Sequence, residues 1–119
     1  MAYKKLTPQE EKVIIHKGTE MPFSGIYWNH KEDGIYYCKQ CGKELFKSSA
    51  KFDSSTGWPS FDDALPNAVT EVLDSDGIRV EIICSNCGAH LGHLFKGEGF
   101  TPKNRRYCVN SISLDFKKS

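Results

Sequence analysis

Val69-Thr70-Glu71-Val72-Leu73, Asp74-Ser75-Asp76-Gly77 and Ile78-Arg79-Val80-Glu81-Ile82-Ile83-Cys84 together decide the fold class. Two β-prone runs flank four turn-forming residues, and Ile78, Val80 and Ile82 alternate with Arg79, Glu81 and Ile83. The pattern predicts an antiparallel hairpin. Beyond it, Ala89-His90-Leu91-Gly92-His93-Leu94-Phe95 reads as another strand, and Lys96 to Asn104 as a loop punctuated by Gly and Pro. Arg105-Arg106-Tyr107-Cys108-Val109-Asn110-Ser111-Ile112-Ser113-Leu114 reads as one strand. Its period of two puts Tyr107, Val109, Ser111 and Ser113 on one face, and Cys108, Asn110, Ile112 and Leu114 on the other. A basic tail follows.

On the N-terminal side of the hairpin, Thr7-Pro8-Gln9-Glu10 is a helix start. Thr7 can cap, Pro8 suits the first helical position and Glu10 completes a capping box. The helix should run from Pro8 to about His16, with Gly18 as its stop. Val13 and Ile14 alone give it an apolar edge, which predicts a peripheral helix with His16 in its solvated last turn. Gly18 to Asp33 reads as an irregular loop whose aromatics pack inward and whose His30 is exposed. Gly34 to Cys38 is a strand. Lys47 to Ser55 is polar, with a short helical turn near Ser48 to Phe52. Thr56 to Phe61 is a loop that holds Trp58 between Gly57 and Pro59. The sum is a mainly β domain with antiparallel pairing and one N-terminal helix.

A chain of 119 residues makes one domain, residues 1–119, long enough to bury a real core. Sixteen basic residues against fifteen acidic ones imply neither nucleic acid nor a membrane surface as partner. The polar start shows no signal peptide, and no apolar run is long enough to span a bilayer. The expectation is a soluble, cytoplasmic monomer in a reducing compartment.

In such a compartment C-x-x-C pairs bind metal more often than they form disulfides. Cys38-Lys39-Gln40-Cys41-Gly42 and Cys84-Ser85-Asn86-Cys87-Gly88 are matching knuckles, and their four thiols suit one structural Zn²⁺. Four thiolates fill a tetrahedron and leave no open position for catalysis. The 42 residues between Cys41 and Cys84 (84 − 41 − 1) exceed the roughly 15–20 of a compact zinc ribbon. The ion should therefore clip two distant segments of one domain. The fifth cysteine, Cys108, is either an inert small hydrophobe of a core strand or a reactive thiol. Arg105 and Arg106 before it favour the thiolate, and Asn110 should share its face. His90 and His93 could serve as acid/base partners of such a thiol, or could be two surface histidines. Three positions apart, they face one site only if Gly92 marks a bulge or kink. Trp58 is either a core residue or the wall of a small apolar pocket.

Four segments together resemble the B-type methionine sulfoxide reductases. They are GWPSF at Gly57 to Phe61, HLGHLF at His90 to Phe95, RYCVNS at Arg106 to Ser111, and the paired CxxCG knuckles. The resemblance spans roughly residues 5 to 116. It implies two antiparallel β-sheets with a structural zinc, and reduction of the R epimer of methionine sulfoxide. It places Cys108 as nucleophile and Trp58, His90, His93, Asn110 and Arg106 at the substrate site. It also implies a sulfenic acid on Cys108, regenerated by thioredoxin or another thiol. The cysteine that directly precedes GWPSF in one common form of the family is Thr56 here. Two other readings compete. A zinc-knuckle binding module would call for a basic face, which the balanced charge does not supply. A zinc hydrolase or deaminase would call for an open metal position and an H-x-E pattern, which His90-Leu91-Gly92 lacks.

Overall fold

The computed structural model describes residues 5–119, so the polar start of the chain, residues 1–4, lies outside the described part. Helix α1 spans Pro8–Ile14. The capping box forms as expected: Thr7 Oγ1 accepts from the Glu10 amide and Glu10 Oε1 accepts from the Thr7 amide. The helix ends earlier than the sequence suggests. Lys17 (φ 61°), not Gly18, takes the left-handed position. Gly18 instead donates its N–H to the Lys12 carbonyl, and a methyl group at Gly18 would crowd that same oxygen.

Nine strands follow: β1 Gly34–Cys38, β2 Glu44–Lys47, β3 Lys51–Phe52, β4 Ser60–Phe61, β5 Val69–Leu73, β6 Val80–Cys84, β7 His90–Lys96, β8 Arg105–Val109 and β9 Leu114–Lys118. All pairings are antiparallel. A three-stranded sheet runs β2-β1-β9, and a six-stranded sheet runs β3-β4-β8-β7-β6-β5. The expected fold class, mainly β with two antiparallel sheets and one N-terminal helix, is the observed one.

Five local expectations need correction. Arg105 to Leu114 is not one strand: β8 stops at Val109, Ser111–Ser113 form a 3-10 turn, and β9 begins at Leu114. The chain thereby crosses from the large sheet to the small one, and the alternation of faces ends with it. The residues read as a basic tail are β9, paired along its whole length with β1. The hairpin turn is longer than four residues, because Asp76 Oδ1 accepts from the Ile78 and Arg79 amides and delays β6 to Val80. Ile78 is left 83% exposed. In the loop before β1, Tyr27 and Trp28 are half-buried, but Phe23 and Ile26 face solvent. His30 is not an exposed loop residue. Its Nδ1 lies 2.7 Å from the Tyr36 hydroxyl and its ring packs on Phe116.

The core fills the space between the sheets. Phe46 of β2 and Phe61 of β4 stack with centroids 4.3 Å apart, and Tyr36 of β1 meets Phe61 edge-on. Ile82, Leu91, Val109 and Leu114 are fully buried with them. Truncating a ring as enclosed as Phe61 costs about 3–5 kcal/mol in such a setting.

Candidate active site and metal centre

The two knuckles have one geometry. Gly42 N–H donates to the Cys38 carbonyl and Gly88 N–H to the Cys84 carbonyl, both at 2.9 Å, and both glycines are left-handed (φ 80° and 77°). Cys38 ends β1 and Cys84 ends β6. The site therefore joins the small sheet to the large one, which accounts for the long sequence span between the pairs. The four Sγ atoms lie within 4.8 Å of one another, with Cys38–Cys87 and Cys41–Cys84 at 3.6 Å. A tetrahedral ion with metal–sulfur bonds near 2.3 Å needs sulfurs about 3.8 Å apart. The donor set fits one such ion. Without an ion the close contacts also split the titration of the thiols. Cys84 is drawn down to about 5 by its bond with Cys38, while that same contact and burial push Cys38 up.

Part of the candidate chemistry lies on one transverse row of the large sheet. Ser60 of β4 pairs with Cys108 of β8, Cys108 with His93 of β7, and His93 with Glu81 of β6. Directly opposed residues share a face, so these four side chains form a line across the sheet. The β6–β7 register slips there: Ile82 pairs with Gly92 but Ile83 pairs with His90, which leaves Leu91 as the extra residue. The bulge brings both histidines to one side, with ring centroids 5.7 Å apart. Gly92 borders that bulge, as expected, and has a second task. A methyl group there would strike the Cys108 carbonyl oxygen, so glycine allows β7 to approach β8 beside the thiol.

Trp58, His93, Arg106, Cys108 and Asn110 all line one cleft of about 170 Å³. A larger cavity of about 360 Å³ lies by Trp28 and Lys51 and contains none of them. His90 is buried behind the cleft and does not line it. Its Nδ1 is 2.7 Å from Glu81 Oε2, and Lys17 Nζ holds the other Glu81 oxygen at 3.2 Å. Burial pushes His90 down, so a neutral ring donates Nδ1–H to the Glu81 carboxylate. Its Nε2 is buried without a partner. His93 Nε2 is 2.8 Å from Asp74 Oδ2, at the tip of the β5–β6 hairpin. The contact with His93 is the main reason the Asp74 carboxyl is held below its ordinary value.

Only one of the two arginines faces the thiol. Arg105 turns away to the Asp62 carbonyl and the Asp63 carboxylate. Arg106 stacks over Phe95 at 4.7 Å and is gripped by both Glu98 oxygens. Burial raises Cys108 above its ordinary value, and the charge and hydrogen bond of Arg106 oppose that rise without cancelling it. The expected thiolate bias from two adjacent arginines is thus corrected: burial outweighs the one that reaches the sulfur. Asn110 shares the cleft with Cys108, as the spacing suggested, but its amide is not bound to a histidine. Oδ1 accepts from the Glu20 amide and Nδ2 donates to the Leu91 carbonyl. Trp58 Nε1 donates to the Glu20 carbonyl at 3.0 Å, and its loop is braced by the Phe23 N–H on the Gly57 carbonyl. Sequence reasoning missed Glu20, Asp74, Glu81 and Glu98.

The SelR domain family model matches residues 6–118. The chain is 55% identical over 112 residues to peptide methionine sulfoxide reductase B2, chloroplastic, of Arabidopsis thaliana, covering 93% of this chain and 55% of that protein. It is 53% identical to peptide methionine sulfoxide reductase MsrB of Synechococcus sp., covering 95% of this chain and 85% of that protein. The chain thus spans about half the length of the first of these relatives and most of the second. Among solved structures it resembles the Mis18 'Yippee-like' domain, with a TM-score of 0.54 at 20% identity over 74% of this chain and 98% of that one. That likeness concerns the fold alone. Family model, near-half to over-half identity along nearly the whole chain, and the paired knuckles agree: the chain belongs to the B-type methionine sulfoxide reductases.

Proposed function

We propose that this chain reduces the R epimer of methionine sulfoxide, free or within proteins, to methionine, with Cys108 as the nucleophile. The observation that carries the reading is the direct cross-strand pairing of His93 with Cys108 in a cleft walled by Trp58. The relatives' names agree with it. The Cys108 thiolate attacks the sulfoxide sulfur, and the S–O bond breaks as the oxygen moves to the protein sulfur. His93, oriented by Asp74, supplies a proton to that oxygen. Trp58 receives the substrate methyl group, and Arg106 stabilises the thiolate. His90 is fixed by Glu81 beside His93. Cys38, Cys41, Cys84 and Cys87 hold one Zn²⁺, which supplies folding free energy and takes no part in the reaction. The products are methionine and a Cys108 sulfenic acid. Assaying each resolved epimer with a thiol reductant tests the reading; turnover of the S epimer at the same rate would refute it.

Recycling follows from counting thiols. The knuckles occupy four, and Thr56 is tied by hydroxyl bonds through Ser54 to Ser60, the residue paired with Cys108. A hydroxyl cannot resolve a sulfenic acid as a disulfide. Thioredoxin or a small thiol must therefore attack Cys108 directly: the first thiol displaces water, and a second releases Cys108 as a thiol. Excess sulfoxide without reductant should yield one methionine per chain and a protein one oxygen atom heavier, by intact mass. A loss of two hydrogens with metal release would instead mean that a knuckle cysteine resolves Cys108.

The raised Cys108 thiol makes reactivity rise with pH through the alkaline range. Because Arg106 opposes the rise, Arg106→Met should move that limb further up the pH scale. The measurement is the iodoacetamide alkylation rate of Cys108 against pH, with the knuckle thiols protected by metal. An unmoved profile would remove Arg106 from thiolate control.

A further inference from the structure

Glu20 stands in the loop between α1 and β1, and its backbone and side-chain polar groups are all engaged. Oε2 accepts the Ser111 N–H at 2.8 Å and Oε1 accepts the Ile112 N–H at 3.0 Å. These amides open the 3-10 turn, and its N-cap residue Asn110 offers no side-chain cap. The carboxylate supplies what the cap would. Asn110 cannot supply it, because its Oδ1 accepts from the Glu20 amide at 3.1 Å and its Nδ2 is turned to the Leu91 carbonyl. The Glu20 carbonyl accepts the Trp58 indole N–H. Gly25 presses on the same carboxylate: a methyl group there would meet Glu20 Oε2 and Ser111. One residue therefore links the indole at the cleft, the carboxamide beside Cys108 and the turn that ends the Cys108 strand.

We propose that Glu20 is a positioning residue that fixes the Trp58 indole relative to Cys108 and thereby sets which sulfoxide epimer is accepted, an inference that rests on the reductase reading above. The argument is stereochemical. A sulfoxide sulfur carries an oxygen, a methyl group, a longer chain and a lone pair. With the oxygen toward His93 and the methyl group against the indole, only one epimer directs its chain out of the cleft. An indole free to tilt loosens the methyl contact and rejects the other epimer less well. Contacts of about one methyl group discriminate by roughly 10–200-fold.

The test uses the full, metal-loaded chain with Trp28→Phe, so that emission reports Trp58 alone. In that background Glu20→Ala should raise KM for the R epimer roughly tenfold and lower the R-to-S preference at least roughly tenfold, with a smaller change in kcat. Trp58 emission should become more accessible to acrylamide. Glu20→Gln keeps one acceptor oxygen and should fall between. Phe116→Leu, in the small sheet away from the cleft, serves as a control for lost stability. Should Glu20→Ala fail to fold, Glu20→Gln decides by the same readouts. Parental KM, epimer preference and quenching in an active Glu20 variant would overturn the inference and leave Glu20 as a cap only. A wild-type chain inactive on both epimers would sink the reductase reading and this inference with it.

Discussion

Replacing Cys108 by serine should abolish sulfoxide reduction, by about 10⁴-fold or more, while leaving fold and metal in place. The site explains the asymmetry. Serine nearly matches the thiol in volume, and Cys108 sits on a strand held on both sides, by Ser60 of β4 and His93 of β7. The exchange therefore disturbs little packing. What it removes is the nucleophile, because a hydroxyl is scarcely ionised where a thiol is. Activity is to be measured as methionine released in a single turnover, alongside metal content and thermal unfolding. Residual reduction within a hundredfold of wild type would mean that another group attacks the sulfoxide. His93→Ala should be milder, slowing the reductive step by roughly 10²–10⁴-fold, because it removes a proton donor and not the attacking atom.

The hairpin, the knuckles and the helix start were legible in the sequence because each rests on local rules: period-two alternation, ligand spacing and capping chemistry. What the local rules could not supply is register. Whether His90 and His93 share a side depends on the slip that leaves Leu91 unpaired, and β7 alone does not encode it. Glu81 became visible only when cross-strand pairing put it beside His93 and His90. The break after Val109 was missed for a related reason. Asn110 to Ser113 has nothing in its own sequence that ends a strand. The turn is imposed by the Glu20 carboxylate, 91 residues away along the chain from Ser111. The protonation of Cys108 likewise depends on burial and on which arginine turns inward, and neither property is carried by neighbours in sequence.

Cys38→Ser and Cys87→Ser should each cost the domain its metal and its cooperative fold together. The magnitude follows from where the ion sits. Structural Zn²⁺ in Cys-rich sites is bound with an apparent free energy of about 10–16 kcal/mol. A domain of this size has a net stability of only about 5–15 kcal/mol. Losing the ion therefore removes stabilisation comparable to the whole margin. The damage cannot stay local, because Cys38 lies at the end of β1 and Cys87 in the turn after β6, and they belong to different sheets. Without the ion, nothing ties the two knuckles, and so the two sheet ends, to one another. Cys38 is also almost wholly buried, at 1% exposure, so its serine replacement leaves a hydroxyl among apolar neighbours. The unfolding should reach the cleft, since β6 and β7 carry both a knuckle and the His90, His93 and Glu81 group. Metal analysis and a denaturation curve decide the matter, and a chelator applied to the wild type should reproduce the same loss. One equivalent of zinc retained by either variant, with cooperative unfolding intact, would show that the four cysteines are not jointly its ligands.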